Sequence, residues 1–260
     1  MCPPTFFDCE YEINVHMVGN INKVNRDLAK QQWTKLYDII RSLADVSVIR
    51  PVAGLPDMVF TANAAFIHED HAWVSTFKHQ ERQGEEEHFM KWFSSHGYKV
   101  THIQSEDFIF EGAGDILREG DTYWVGYGQR TTLDSVHAIA ALHKAIHFQV
   151  VELATPEFYH LDTCFCPLDQ GHILWYPDAF TFESQVWINY MYKSLIPVTK
   201  ADALNFACNA VCIDGTIVCN RISFELRDQL TAYGYKVIMT DLSEFIKAGG
   251  SAKCLTLELS

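Results

Sequence analysis

The chain has 260 residues, 48% of them hydrophobic and 20% charged, with a formal net charge of −13. This is the balance of a soluble globular protein with a substantial core, and its acidity excludes nucleic acid and anionic membranes as large partners while suiting a cationic small substrate. No apolar run approaches the roughly 20 residues of a membrane span, and Met1-Cys2-Pro3-Pro4 lacks the basic flank and apolar stretch of a secretory signal.

In chain order, one unit recurs. Residues 25–44 place Ala29, Trp33, Leu36, Tyr37, Ile40 and Leu43 at helical spacing and lead into a strand, "VSVIRP". A hairpin follows, with 58–67 paired to "AWVST" across "HED". A second helix, 85–95, leads into "GYKVTHI", and 108–118 pairs with "TYWVGY" across "EGD". A third, 133–145, leads into "FQVVEL", and 161–168 pairs with "HILWYP" across "DQG". A fourth, 182–192, leads into "LIPVT", and 206–213 pairs with "TIVCN" across "DG". A fifth, 223–233, leads into "GYKVIMT", and the chain ends on an alternating run, 254–259, read as a strand. The N-terminal "FFDCEYEIN" is placed as the partner that closes the ring. Five units in one order predict a single α/β domain over 1–260 with pseudo-fivefold repeats, in which closure hides the sheet edges. An ordinary α/β sheet is the alternative.

Cysteine occurs eight times, at Cys2, Cys9, Cys164, Cys166, Cys208, Cys212, Cys219 and Cys254. Several lie in apolar runs, which favours reduced thiols in a cytosol over a disulfide framework. Cys208 and Cys212 fall in the alternating "NFACNAVCIDG" and are read as packing rather than as zinc ligands.

Each hairpin opens with a polar residue near its first strand: Asn63, Glu111, His160 with Asp162, Asn209, and Cys254. In a ring of repeats, equivalent positions converge on the axis. One pocket would then hold a nucleophile, a proton carrier and acids suited to a cation. Each residue also has a plain role: Cys254 as core filler, Glu111 as a turn acid, Asp162 as a turn cap, Asn63 as a hydrogen-bonded core amide. Their recurrence at matched phase carries the functional reading.

"PDMVFTANAAF", "FEGAGD", "HLDTCF" and "GGSAKCLTLEL", in this order, resemble the guanidino-group-modifying enzymes. These are the arginine deiminases, dimethylarginine dimethylaminohydrolases and amidinotransferases. The resemblance covers residues 11–259 and implies a five-bladed α/β propeller, the pentein fold. The opening "MCPPTFFDCEYEINVHM" and Asn63 are most similar to the arginine dihydrolases, which convert arginine to ornithine, carbon dioxide and two ammonia. Deiminases usually carry aspartate in place of Asn63, and the dimethylarginine enzymes carry an acid in place of Ala62. Citrulline-forming deiminase or dimethylargininase chemistry and amidino transfer are the alternatives.

The resemblance implies that Cys254 is the nucleophile, His160 the general acid and base, and Glu111 the carboxylate beside the substrate. Asp162 would bind the guanidinium with Asn63 next to it, and Asn14 would be a further contact. Arg82 and Arg130 would bind the substrate carboxylate, although Arg82 also reads as a solvated helix charge. Asp57 would touch substrate or brace the turn after Pro56. The chemistry implied needs no metal or organic cofactor. Oligomeric state is not readable, and a homo-oligomer stays open.

Overall fold

The computed structural model describes residues 1–105, 107–142 and 146–259. Helix α1 (Arg26–Arg41) starts where the Asn25 side chain accepts from the Leu28 N–H at 3.1 Å, and it buries the stripe Ala29, Trp33, Leu36 and Ile40. Strands β1 (Ala65–His68) and β2 (His71–Val74) form an antiparallel hairpin. Helix α2 (Gln80–Ser95) then crosses over to β3 (Lys99–Thr101), which joins β2 in parallel. Parallel pairing needs such a crossover.

The same order repeats in three more units. The second holds β4 (Ile116–Glu119), β5 (Thr122–Tyr127), α3 (Leu133–Leu142) and β6 (His147–Glu152). The third holds β7 (Phe165–Leu168), β8 (His172–Trp175), α4 (Phe182–Met191) and β9 (Leu195–Pro197). After a short α5 (Lys200–Leu204), the fourth holds β10 (Val211–Ile213), β11 (Thr216–Cys219), α6 (Phe224–Ala232) and β12 (Lys236–Met239). Each gives a three-stranded sheet with an antiparallel hairpin and a parallel third strand. Helix α7 (Ser243–Ile246) precedes the last turn. The expected helices over 25–44, 85–95, 182–192 and 223–233 are therefore present; of 133–145, residues 143–145 lie outside the described residues.

The expected fifth unit, drawn from both ends of the chain, forms no fifth sheet among the described residues. Neither 254–259, nor "FFDCEYEIN", nor "VSVIRP" forms a strand. Instead Met1 N donates to Ser47 O at 2.9 Å and Ile49 N donates to Met1 O at 3.0 Å, with α1 between these segments. Leu257 and Leu259 pack against Cys2 and first-unit residues Ala64, Ala65 and Val74. The run at 254–259 alternates but starts as a turn, because Leu255 N donates to Ser251 O and Thr256 N to Lys253 O.

The hairpins also begin later than their alternation suggests. Residues before β1, β4 and β7 form 3-10 turns: Pro56–Val59, Thr61–Ala64, Gly112–Gly114 and Leu161–Thr163. Before β10, Asn209 N closes a similar turn onto Phe206 O at 3.0 Å. Buried clusters link successive units. Phe66 and Trp73 pack with Phe110 and Tyr123, Trp124 with Phe165 and Trp175, and Val218 with Phe245 and Leu36. All eight cysteines are free thiols; Cys208 is buried in the turn before β10 rather than in a strand. Among the described residues, no helix is long and apolar enough to cross a membrane.

Candidate active site

The turns that delay the hairpins position the polar residues. Cys254 is 2% exposed, in the turn after Gly249-Gly250. A Cβ on Gly250 would run into the Phe60 ring and approach Cys254 Cβ at 3.2 Å, so only glycine lets this turn pass so close. Asn209 clamps the turn. Its Oδ1 accepts from Ser251 N at 3.0 Å and Cys254 N at 3.1 Å, and its Nδ2 donates to Cys254 Sγ and Asp162 O, both at 3.0 Å. Cys254 Sγ faces Asp162 Oδ2 at 3.3 Å, while Asp162 Oδ1 is buried with no hydrogen-bond partner. Burial, then the Asp162 charge, push the thiol well above its ordinary pKa. Burial raises Asp162 to about 7, against the hydrogen bond from Cys254 and the Lys253 charge.

His160 begins the turn that carries Asp162. Its Nε2 meets Glu111 Oε2 at 2.8 Å, which leaves Nδ1 toward Asn63 Nδ2 at 3.5 Å. Glu111 is fully buried and also accepts from Arg130 Nη1 at 3.1 Å and Lys78 N at 3.2 Å. Burial would raise its pKa, but the Arg130 charge and the His160 hydrogen bond outweigh it and hold the carboxyl far below its ordinary value. Arg130 Nη2 donates to Ile13 O at 2.9 Å, and its guanidinium lies 4.8 Å above the Tyr159 ring. Asp115 ties the His160 turn to the Glu111 turn by accepting from Leu161 N at 3.0 Å and Thr131 Oγ1 at 2.6 Å.

Asn63 lies against this group with its amide oriented at both ends. Oδ1 accepts from Arg82 Nη1 at 3.0 Å, and Nδ2 donates to Glu111 O at 3.3 Å. Arg82 is buried rather than solvated: it grips Glu85 through Nε at 2.9 Å and Nη2 at 2.8 Å, and it also donates to Asp57 O at 3.3 Å. Asp57 Oδ2 accepts from Tyr11 OH at 2.9 Å, and its Oδ1 is buried without a partner. Asn14 braces its own segment: Oδ1 accepts from His16 N at 2.9 Å, and Nδ2 donates to Ala248 O at 3.1 Å. His16 Nε2 then reaches Glu157 O at 2.9 Å, so residues 11–16 bridge Asp57, Arg130, Ala248 and the segment before His160.

Chain positions as remote as 63, 111, 160 and 254 thus meet in two touching groups. One is Cys254, Asp162 and Asn209; the other is His160, Glu111, Arg130 and Asn63. They are joined because His160 and Asp162 share one turn. Arg82 and Arg130, expected at a substrate carboxylate, both spend donors on protein acceptors. Sequence reasoning gave no role to Glu85, Asp115 or Tyr159. Glu85 lies three residues after Arg82 on one helix face, and Asp115 closes "FEGAGD", so both had a local signal. Asn209 was recognised as the fourth-unit polar residue, but its clamp on Cys254 depends on a contact 45 residues away.

Chemically, the arrangement offers a thiol, an imidazole with one nitrogen bound to a carboxylate, and a half-satisfied buried acid. Known proteins share the architecture. The chain is 46% identical to the bifunctional arginine dihydrolase/ornithine cyclodeaminase AgrE of Nostoc sp., over all of this chain and 37% of AgrE. It is 38% identical to the N(G),N(G)-dimethylarginine dimethylaminohydrolase of Mycobacterium tuberculosis, over all of this chain and 84% of that protein. It matches the crystal structure of the N-terminal domain of ArgZ, an arginine dihydrolase from cyanobacteria, with a TM-score of 0.97 and 45% identity, covering 100% of this chain and 96% of that one. The chain spans only about 37% of the full length of AgrE or of ArgZ of Synechocystis sp.. The family model for eukaryotic N,N dimethylarginine dimethylhydrolases matches residues 10–260, a span that includes every turn described above, and the chain belongs to that family.

Proposed function

We propose that this chain hydrolyses the guanidino group of free L-arginine through a covalent Cys254 adduct, giving ornithine, carbon dioxide and two ammonia, and that residues 1–260 act as one catalytic domain in the cytoplasm. The observation that carries this reading is the Cys254 thiol 3.3 Å from Asp162, whose other oxygen has no partner, on the turn shared with the Glu111-bound His160. The ArgZ N-terminal domain has been solved with a cysteine-to-serine change bound to substrate, and AgrE with a cysteine-to-alanine change bound to L-arginine.

A guanidinium between Asp162 and Cys254 would supply the partner that Asp162 Oδ1 lacks. Its charge also favours the thiolate. Sulfur attack on the central carbon gives a tetrahedral adduct. His160, positioned by Glu111, protonates one departing terminal nitrogen, which leaves as ammonia. His160 then takes a proton from water as the water attacks the sulfur-bound carbon, and release of the sulfur gives citrulline. A second passage expels the remaining terminal nitrogen and leaves a carbamate on the side-chain amine. That carbamate loses carbon dioxide to give ornithine, so two waters are consumed for two ammonia.

Retention of citrulline is the distinguishing step. Arg82 holds the Asn63 oxygen, which turns the amide nitrogen toward Glu111 and His160. That N–H can donate to a neutral ureido oxygen, and a carboxylate in its place cannot. Asn63→Asp is expected to shift products from ornithine toward citrulline; an unchanged ornithine yield contradicts this role.

The test of function is a time course with L-arginine in which ornithine, citrulline and ammonia are all quantified. Two ammonia per ornithine support the dihydrolase. Citrulline with one ammonia overturns it in favour of a deiminase, and faster turnover of dimethylarginine does so in favour of a dimethylargininase. Amidino transfer requires an added amine such as glycine.

A further inference from the structure

Helix α4 differs from the other long surface helices on its outward face. Helices α1, α2 and α6 turn charged side chains to solvent, among them Lys35 and Asp38, Glu87 and Lys91, and Glu225 and Asp228. Helix α4 buries Ser184 and Ile188 on its inner face. On the opposite face it exposes Phe182, Val186 and Tyr190, at i, i+4 and i+8, with Trp187 and Met191 on the flank. Phe182 is 74% exposed, Val186 53%, Trp187 40% and Tyr190 70%. Glu183 is the one charged residue within α4. A helix apolar on both faces is a helix that becomes buried. Exposed rings elsewhere have cover: the Arg227 guanidinium lies 5.0 Å from the Phe224 ring centre, and the His172 ring 4.6 Å from that of Tyr233.

The face is also held in place before anything meets it. Trp187 Nε1 donates to Gln149 Oε1 of β6 at 3.1 Å, and the indole stacks on Tyr190 at 5.8 Å. Aromatic side chains fixed in this way lose little freedom on contact, and they are the residues that anchor interfaces. At ~200 Å2 per aromatic side chain, and with Val186 and Met191 added, the patch exposes on the order of 500 Å2. A standard interface takes about 800 Å2 from each partner. In homodimers about 65% of it is apolar, which matches this patch in size.

Charge favours a second copy here. The chain carries −13, so two copies repel across most of their surface. The α4 face is close to neutral. Glu183 opens the helix, and Lys193 follows it, its ammonium donating to Asn189 O at 3.0 Å. A two-fold axis lays two such helices antiparallel and sets the acidic end of each toward the basic end of the other.

We propose that the outward face of α4 is the contact through which two copies of this chain form a closed dimer, with Phe182, Val186, Trp187 and Tyr190 at its centre.

Sedimentation equilibrium from about 1 to about 100 µM tests this. The mass should move from 29.7 kDa to twice that value and stop there, because a two-fold contact uses the face up. Val186→Glu sets two like charges against each other and should weaken the dimer at least about 100-fold. Tyr190→Ala should weaken it at least about 10-fold. Phe224→Glu, on α6, should stay within about twofold of wild type. Both α4 side chains are more than half exposed, so far-ultraviolet circular dichroism of these variants should match wild type and separate a lost dimer from a lost fold. A mass of 29.7 kDa throughout overturns the proposal and leaves the face to a different protein. Masses beyond twice that value overturn it as well. So does a dimer that Val186→Glu and Tyr190→Ala leave intact, or that Phe224→Glu weakens equally.

Discussion

A thiol sealed from water beside a carboxylate is a weak nucleophile at rest, and Cys254 is in that position. Burial and Asp162 both favour its neutral form, so ionisation waits for a cation. Iodoacetamide labelling of Cys254 should therefore keep accelerating with pH up to 9, with no plateau near the roughly 8.5 of an ordinary thiol. A plateau at or below that value would show a thiolate already formed. Asn209 is the second decisive residue. Asn209→Leu leaves the N–H groups of Ser251 and Cys254 buried without their acceptor. Each orphaned donor costs about 1–3 kcal/mol, so denaturant unfolding should show a loss of at least about 2 kcal/mol. A loss below 0.5 kcal/mol contradicts the clamp. The sequence exposed Asn209 as a polar residue at the right phase; it could not show that one amide would satisfy four groups.

The element that matters most is the tight turn before each hairpin. Alternation over 58–67 and 206–213 looks like strand, and half of it is turn, because N–H groups of Phe60, Asn63 and Asn209 bond three residues back instead of across a ladder. Local polarity was the available signal: each mis-assigned segment contains the residue that faces the site. Helices were more legible. Asn25, Thr181 and Ser223 cap their N-termini with short polar side chains, and α1 carries a full apolar stripe. The turns also depend on glycine where the backbone is crowded. A Cβ on Gly114 would run into Asn63 Nδ2 and stand 3.3 Å from His160 Cγ. Gly114→Ala should lower kcat/KM about 100-fold, as misplacement of a catalytic group by about 1 Å does. Activity within threefold of wild type would mean that the neighbours yield at no cost.

At the scale of the molecule, four strand–helix units and the two ends of the chain bring acids from distant segments into one buried region. The repeat order was legible because helix, strand and turn signals are local. What joins the two ends was not, because the contacts of Met1 with Ser47 and Ile49 form no sheet and leave no alternating pattern. The burial of acids has a thermodynamic consequence. Glu85 and Asp162 are raised to about 7 and Asp115 to about 6, each chiefly by burial. Between about pH 4 and 7 the folded chain therefore binds more protons than the unfolded chain, so these groups make stability fall as pH rises through that window. Glu111 acts oppositely, and its contribution is lost only as pH drops below its ordinary value. Burial lowers His16, His71, His79 and the Met1 amino group, which act oppositely over the same window. The acids are therefore read by difference: the melting temperature of wild type relative to Asp162→Asn should fall from pH 5.5 to pH 8, and no relative fall would contradict these assignments. The central step proposed for this site is a bond from Cys254 to the guanidino carbon. Acid-quenching the chain during turnover of L-arginine and mapping its peptides by mass spectrometry tests it most directly. An adduct of arginine less ammonia is expected on the peptide bearing Cys254, absent from Cys254→Ser. Turnover with no adduct on that peptide, or with activity retained by Cys254→Ser, would contradict it.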